Sequence, residues 1–156
     1  MTGRTLVAGI GNVFLGDDGF GVEVAARLGR ESLREGVRVV DAGIRARHLA
    51  YELLDGDYDT AILVDAVARG GAPGTVYLIE PEVAAGGLSN TAAAFDGHAM
   101  NPDAMLGFLQ AFGRASTRVL IIGCEPECID ERMGLSAPVA AAVDEALELV
   151  RDLLCA

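Results

Sequence analysis

Gly9-Ile10-Gly11-Asn12-Val13-Phe14-Leu15-Gly16-Asp17-Asp18-Gly19-Phe20-Gly21 joins the apolar run Thr5 to Ile10 to a helical pattern, through a turn that holds five glycines and two adjacent acids. Glycine at that density implies positive φ or close backbone approach at several points, and the acids place negative charge where the following helix presents its free N–H groups. An anionic site at the C-terminal end of a first strand is the expectation.

Gly9-x-Gly11 followed by Gly16, with Asp41 closing the next apolar run, loosely imitates a dinucleotide-binding turn. The spacing is wrong, because that fingerprint places its third glycine sooner, and Asp17 and Asp18 stand where a pyrophosphate needs bare amides. Like charges about 4 Å apart repel by ~4 kcal/mol at an effective dielectric near 20, so the turn suits a cation better than a phosphate. The plainer reading gives the acids a purely structural task, with Asp17 as N-cap of the helix and Asp18 favouring its dipole.

Outward from the turn, strands and helices alternate. Phe20, Val24 and Leu28 recur every fourth residue, the pattern of a helix packed on one face and expected to end near Gly36. Val37 to Val40 reads as a second strand, stopping at Asp41-Ala42-Gly43, and Ala46, Leu49, Ala50, Leu53 and Leu54 mark a short helix closed by Gly56. Thr60 to Val64 is an apolar run suited to a central strand covered on both faces, and it terminates in Asp65. Thr75 to Ile79 follows so closely, through Pro73-Gly74, that a hairpin with the third strand is the economical reading. After a Gly- and Ala-rich loop over 84–97, His98 stands just before Asn101-Pro102, a helix entrance whose helix buries Met105, Leu106, Leu109 and Phe112. Arg118 to Ile122 supplies the last strand, and a final helix from Ser136 carries the stripe Val139, Val143, Leu147, Val150 and Leu154.

No linker, repeat or charge block interrupts the pattern, so residues 1–156 read as one three-layer α/β/α domain with a mixed sheet of about five strands. With 51% hydrophobic and 22% charged residues the chain is globular. Its net charge of −11 argues against a nucleic-acid surface. No apolar run approaches the ~20 residues that span a bilayer, and no signal-like stretch follows Met1, so no membrane insertion and a cytoplasmic location are expected. Cys124, Cys128 and Cys155 form no C-x-x-C unit, which favours free thiols; ligation of a metal by Cys124 and Cys128 across Glu125-Pro126-Glu127 has only weak support.

In such folds ligands sit beyond the carboxyl ends of the strands. Asp18 follows the first strand and Asp65 ends the third, so the two acids are expected in one crevice, and the loop before the next long helix brings His98 toward it. Two carboxylates and an imidazole make a divalent-cation site with positions left open, the other reading of His98 being a loop histidine that hydrogen-bonds a backbone carbonyl. His48, in the short helix with Arg45 and Arg47 near it, reads as a solvated helix-surface residue.

Taken together, Gly9-x-Gly11-Asn12-x-x-x-x-Asp17-Asp18-Gly19-x-Gly21, the strand ending Asp65-Ala66, Pro73-Gly74-Thr75, His98, Gly123-x-Glu125-Pro126-Glu127 and Gly134-Leu135-Ser136 resemble the nickel-iron hydrogenase maturation endopeptidases, in order and over nearly the whole chain. The resemblance implies an α/β/α fold with a mostly parallel sheet. It also implies removal of a C-terminal extension from the hydrogenase large-subunit precursor after nickel insertion. The family's metal-contacting positions fall on Asp18, often a glutamate in the family, on Asp65 and on His98. One departure is the segment Asp41-Ala42-Gly43-Ile44-Arg45-Ala46, where many members show Asp-Gly-Gly-Thr-x-Gly. That segment bears on precursor specificity.

A borderline-soft ion such as nickel accepts imidazole and carboxylate and leaves room for thiolates from a precursor, so the nickel is expected to arrive with the substrate, and no organic cofactor is expected. The chain has no H-E-x-x-H pair to mark a resident zinc hydrolase. No Ser-His-Asp or Cys-His order is evident, and Cys124 is a nucleophile only if a histidine lies beside it. A non-proteolytic nickel-checking or chaperone-like module for hydrogenase assembly stays open as the alternative.

Overall fold

The apolar run of the third strand sits at the middle of the sheet. In a computed structural model, which describes residues 3–44, 49, 52, 57–80 and 117–155, β3 (Thr60–Ala66) is buried from Thr60 to Asp65. It lies between β1 (Thr5–Ile10) and β5 (Arg118–Cys124), both parallel to it. β2 (Val37–Gly43) flanks β1 in parallel, and β4 (Val76–Ile79) runs antiparallel along β5, so the strand order is β2-β1-β3-β5-β4. Continuous rather than alternating hydrophobicity in β1, β3 and β5 follows from burial on both faces.

The hairpin expected between β3 and β4 is corrected by this order: β4 is antiparallel, but β5 lies between the two. The intervening segment crosses the end of β5 instead of folding back on β3. Its backbone is tied there by Gly74 N–H to Glu125 C=O at 2.9 Å and Glu125 N–H to Thr75 C=O at 2.9 Å.

α1 (Phe20–Leu28) and α2 (Ala137–Cys155) cover one face of the sheet, burying Phe20, Val24 and Leu28 from the first and Val139, Val143, Leu147, Val150 and Leu154 from the second. α1 ends eight residues earlier than expected, because the N–H groups of Arg30 and Glu31 bond to the carbonyls three residues back and tighten the chain into turns before Gly36. On the opposite face Leu6, Ala8, Ile10, Ala61 and Leu63 are buried with Leu49 and Tyr58. Of the short helix expected over 46–54, only Leu49 and Glu52 are described, both helical. The expected loop over 84–97, His98 and the following helix lie outside the described residues.

Glycine sets how closely α1 approaches the sheet. A Cβ on Gly21 would come within 1.9 Å of the Val64 carbonyl oxygen, and one on Gly9 within 2.2 Å of the Gly21 carbonyl oxygen. Helix and strand backbones therefore touch directly beneath the acidic turn. Gly21→Ala is expected to lift the helix and destabilise the fold by about 3 kcal/mol, the upper end of ordinary overpacking, since the obstruction is backbone. Urea unfolding measures it, and a loss under about 0.5 kcal/mol, typical of an ordinary surface substitution, would show that the contact yields easily.

Candidate active site

The turn after β1 forms a short 3₁₀ segment, Gly16–Gly19, before α1 begins. Its two acids point to different tasks. Asp17 is fully buried and caps no helix: the N-cap position of α1 is Gly19, without a side-chain bond. Instead the Asp17 carboxylate accepts hydrogen bonds from four groups far along the chain. Oδ1 takes the Ser136 N–H at 2.7 Å, and Oδ2 takes the Glu127 N–H at 2.8 Å, the Cys128 N–H at 2.9 Å and the Ser136 hydroxyl at 2.8 Å. Burial works to raise its pKa, but the bonds from Ser136, Cys128 and Glu127 outweigh it and hold the group below the usual aspartate value. Backbone bonds from Gly16 N–H to Arg132 C=O and from Arg132 N–H to Phe14 C=O continue the seam between this turn and the segment after β5.

Asp18 is half-buried and faces the other way. Its Oδ2 accepts the Asn12 N–H at 2.8 Å. The structure brings it together with Asp65, as the strand-end argument expects: the Asp18 charge acts on Asp65, and a Cβ on Gly11 between them would lie 1.9 Å from the Asp18 carbonyl oxygen and 3.5 Å from Asp65 Oδ1. Gly11, at φ +137°, is thus required by both conformation and space.

Asp65 is 3% exposed. Burial, then the Asp18 charge, push its pKa up to about 8 against the single opposing bond from the Ala66 N–H at 2.8 Å. At neutral pH it holds a proton, and no described basic side chain offsets the pair. A buried acid pair in this condition gains from a cation that takes the proton's place, which is the property a metal-contacting pair requires. Among the described residues no group of three histidine, cysteine or acidic side chains is arranged to hold a metal ion. The third expected ligand, His98, lies outside them.

Cys124 is excluded as a nucleophile by its surroundings. Cys124 is fully buried among the core side chains, and burial, with Asp17 and Glu125 adding to it, pushes its thiol up to about 12. It stays protonated and is no nucleophile. Cys128 is turned to Asp130, with Sγ 3.2 Å from Oδ2.

Glu125 was quoted in the sequence as part of a motif without a task, and the structure supplies one. Its Oε1 accepts the Arg69 N–H at 2.8 Å, the Gly71 N–H at 2.9 Å and the Tyr77 hydroxyl at 2.7 Å, fixing the loop that follows Asp65. The bond from Arg69 leads the causes that lower its pKa. Asp17, Glu125 and Ser136 are therefore supports that hold the loops carrying Asp18 and Asp65. In the sequence they stand in the acidic turn and in Gly123-x-Glu125-Pro126-Glu127 and Gly134-Leu135-Ser136.

A mostly parallel α/β sheet thus carries an acid pair at its carboxyl edge, where ligands of open α/β sheets bind, braced by a clasped C-terminal segment. The family model of the HycI hydrogenase maturation protease matches residues 22–153, which include Asp65 and His98 and begin just after Asp18. A protein of Methanocaldococcus jannaschii assigned as a hydrogenase maturation protease is 35% identical over 93% of this chain and 92% of its own length. The crystal structure of a hydrogenase 2 maturation peptidase from a Thaumarchaeota archaeon superimposes with a TM-score of 0.75 at 34% identity, covering 97% of each chain. That of the hydrogenase maturating endopeptidase HybD from Escherichia coli does so at 0.77 and 26% identity, over 97% of this chain and 91% of that one. The chain belongs to the hydrogenase maturation protease family and is a peptidase. Among the described residues no helix is long and apolar enough to cross a membrane.

Proposed function

We propose that the chain removes the C-terminal extension of a nickel-iron hydrogenase large-subunit precursor after nickel has been inserted, acting in the cytoplasm. The observation that carries the reading is the acid pair: Asp65, buried at the end of β3, beside Asp18, with no described basic partner. Asp18 and Asp65, joined by His98, would hold the precursor's nickel, a cation that suits carboxylate and imidazole and accepts the substrate's thiolates at its remaining positions. An ion held there by Asp18, Asp65 and His98 would supply Lewis-acid chemistry at a neighbouring carbonyl and make cleavage depend on metal loading. Binding of the loaded site would release the Asp65 proton to solvent and leave both carboxylates free to contact the ion. Asn12 and Gly11 hold the Asp18 carboxylate and the strand end in place for that encounter.

The test is incubation of the purified chain with nickel-loaded and nickel-free precursor, followed by the mass of the large subunit. Shortening of the loaded form alone is expected; a mass that never changes would make the protein a binding module without proteolytic function. Asp18→Ala and His98→Ala should each fold and fail to process loaded precursor. Wild-type cleavage by His98→Ala would remove the imidazole from the site.

A further inference from the structure

Five large apolar side chains stand out in the solvent among the described residues, and three of them, Phe14, Ile129 and Met133, belong to the seam between the acidic turn and the segment after β5. Single exposed apolar residues are ordinary, but three gathered along one seam mark a face that a partner covers. Backbone pairing gathers them. Leu15 and Arg132 form an isolated parallel bridge, in which the Arg132 carbonyl accepts the Gly16 N–H at 2.8 Å and the Arg132 N–H donates to the Phe14 carbonyl at 3.0 Å. Phe14 precedes the bridge on one side of the seam and Met133 follows it on the other. The Asp17 N–H holds the Cys128 carbonyl at 2.9 Å, which brings Ile129 to the same seam. Phe14 at 63% exposure and Met133 at 69% are the most exposed of the five.

Residues 129–134 are all exposed, so this stretch projects from the surface as a ridge instead of lining a cleft. Its backbone is nonetheless fastened at both ends, by the N–H groups of Cys128 and Ser136 on the buried Asp17 carboxylate, and in between by the two Arg132 bonds. A partner docked there has little new structure to order. Charge describes that partner. Glu127, Asp130 and Glu131 are exposed around the apolar side chains, and Arg132 is the one base among them. A second copy of this chain, with its own net charge of −11, would set acid against acid. A surface apolar at its centre and basic at its rim is the complement.

We infer that this ridge is a docking site for the folded body of the large-subunit precursor, on an apolar patch rimmed by arginine or lysine, apart from the segment that is cut. The inference rests on the proposed function and adds a second point of grip. Shape supports it, because an extended peptide seeks a groove or a strand edge, whereas a projecting ridge fits a folded surface. Position agrees. The ridge hangs on Asp17, while Asp18, next in the chain, turns the other way toward Asp65, so a segment held at the acid pair leaves the ridge to another part of the same substrate. Asp17 and Asp18 share one short 3₁₀ segment pinned on both sides, which sets a docked body in fixed register to the acid pair.

Calorimetric binding of purified nickel-free precursor to the full chain tests the inference, because it reads the ridge without the ion. Ile129→Ser and Met133→Ser should each weaken binding about tenfold, the worth of one large apolar side chain. Leu78→Ser, at an equally exposed apolar residue on β4 at the far edge of the sheet, should change nothing. Glu131→Arg should weaken binding at low salt and much less at high salt. The two serine variants should also raise KM for nickel-loaded precursor by the factor seen in binding. A benzoylphenylalanine crosslinker at position 133 should capture the body of the precursor. Unchanged affinity in both serine variants, or crosslinks confined to the C-terminal extension, overturns the docking site while cleavage itself stands. A wild-type chain that sediments as a dimer, dissolved by Met133→Ser, gives the ridge to a second copy and overturns it as well. If wild type binds precursor and never cuts it, proteolysis fails and the affinities still decide the ridge. If it does not bind nickel-free precursor at all, the ridge assignment falls whatever cleavage shows.

Discussion

Asp65→Asn is expected to abolish processing of nickel-loaded precursor and, at pH 8, to make the protein more stable than wild type. Asparagine keeps the shape and the carbonyl that accepts the Ala66 N–H, so the fold has no reason to suffer. The energetic argument turns on where the proton sits. An unfolded aspartate ionises near 3.8, whereas in the folded chain Asp65 does so only near 8. Below about pH 4 both states hold the proton and nothing is lost. As pH rises from there toward 8 the unfolded chain ionises first and is favoured, by up to about 1.4 kcal/mol per pH unit, so wild-type stability falls across that window. The amide has no proton to lose and escapes the penalty. Allowing for relaxation of the buried pair, a gain of about 2 kcal/mol at pH 8 is expected, some 4–8 °C in Tm, shrinking to nothing near pH 4. Thermal unfolding of both proteins at pH 4.5 and pH 8 measures it. An offset between them that ignores pH would mean that Asp65 is not held protonated by the fold.

A residue whose removal stabilises the protein and ends its function is kept for its chemistry. The position of Asp65 was legible in sequence: an apolar strand buried on both faces ends in an acid, and topology puts that acid at the carboxyl edge beside the turn after the first strand. The stripe of the last helix was equally legible, since five residues at helical spacing have one face to bury, and all five are buried. Strand neighbours were not. Nothing local in Pro73-Gly74-Thr75 says that β5, more than forty residues later, will take the place beside β3, because the choice is made by long-range pairing of two wholly apolar strands. The same limit concealed Asp17. An acid at the start of a helical pattern satisfies every local rule for a cap, and only the folded chain reveals that its partners are Glu127, Cys128 and Ser136.

Those partners make Asp17→Ala the most damaging substitution expected here. Alanine would leave three backbone N–H groups and the Ser136 hydroxyl without an acceptor, in a place from which water is excluded. An unsatisfied buried donor costs about 1–3 kcal/mol, more when the lost acceptor was charged, and the groups here share one site, so a total near 4–5 kcal/mol is expected rather than the ~1 kcal/mol of a lost cap. Asp17→Asn separates the charge from the shape. Either orientation of the amide turns its NH₂ toward at least one donor, so about 2–3 kcal/mol should go, as in other broken buried networks. The pH response has the opposite sign from that of Asp65. Because the bonds hold Asp17 below its ordinary value of 3.8, its contribution is complete above that pH and disappears as pH falls through the folded-state value. Wild type should therefore lose stability steeply in acid, and the alanine variant, which has nothing left to protonate, much less so. Urea unfolding from pH 2.5 to 7 reads both slopes. Parallel curves for the two proteins would show that the carboxylate is not what fastens the acidic turn to the segment after β5, and a loss of only about 1 kcal/mol at pH 7 would be no more than that of a simple cap.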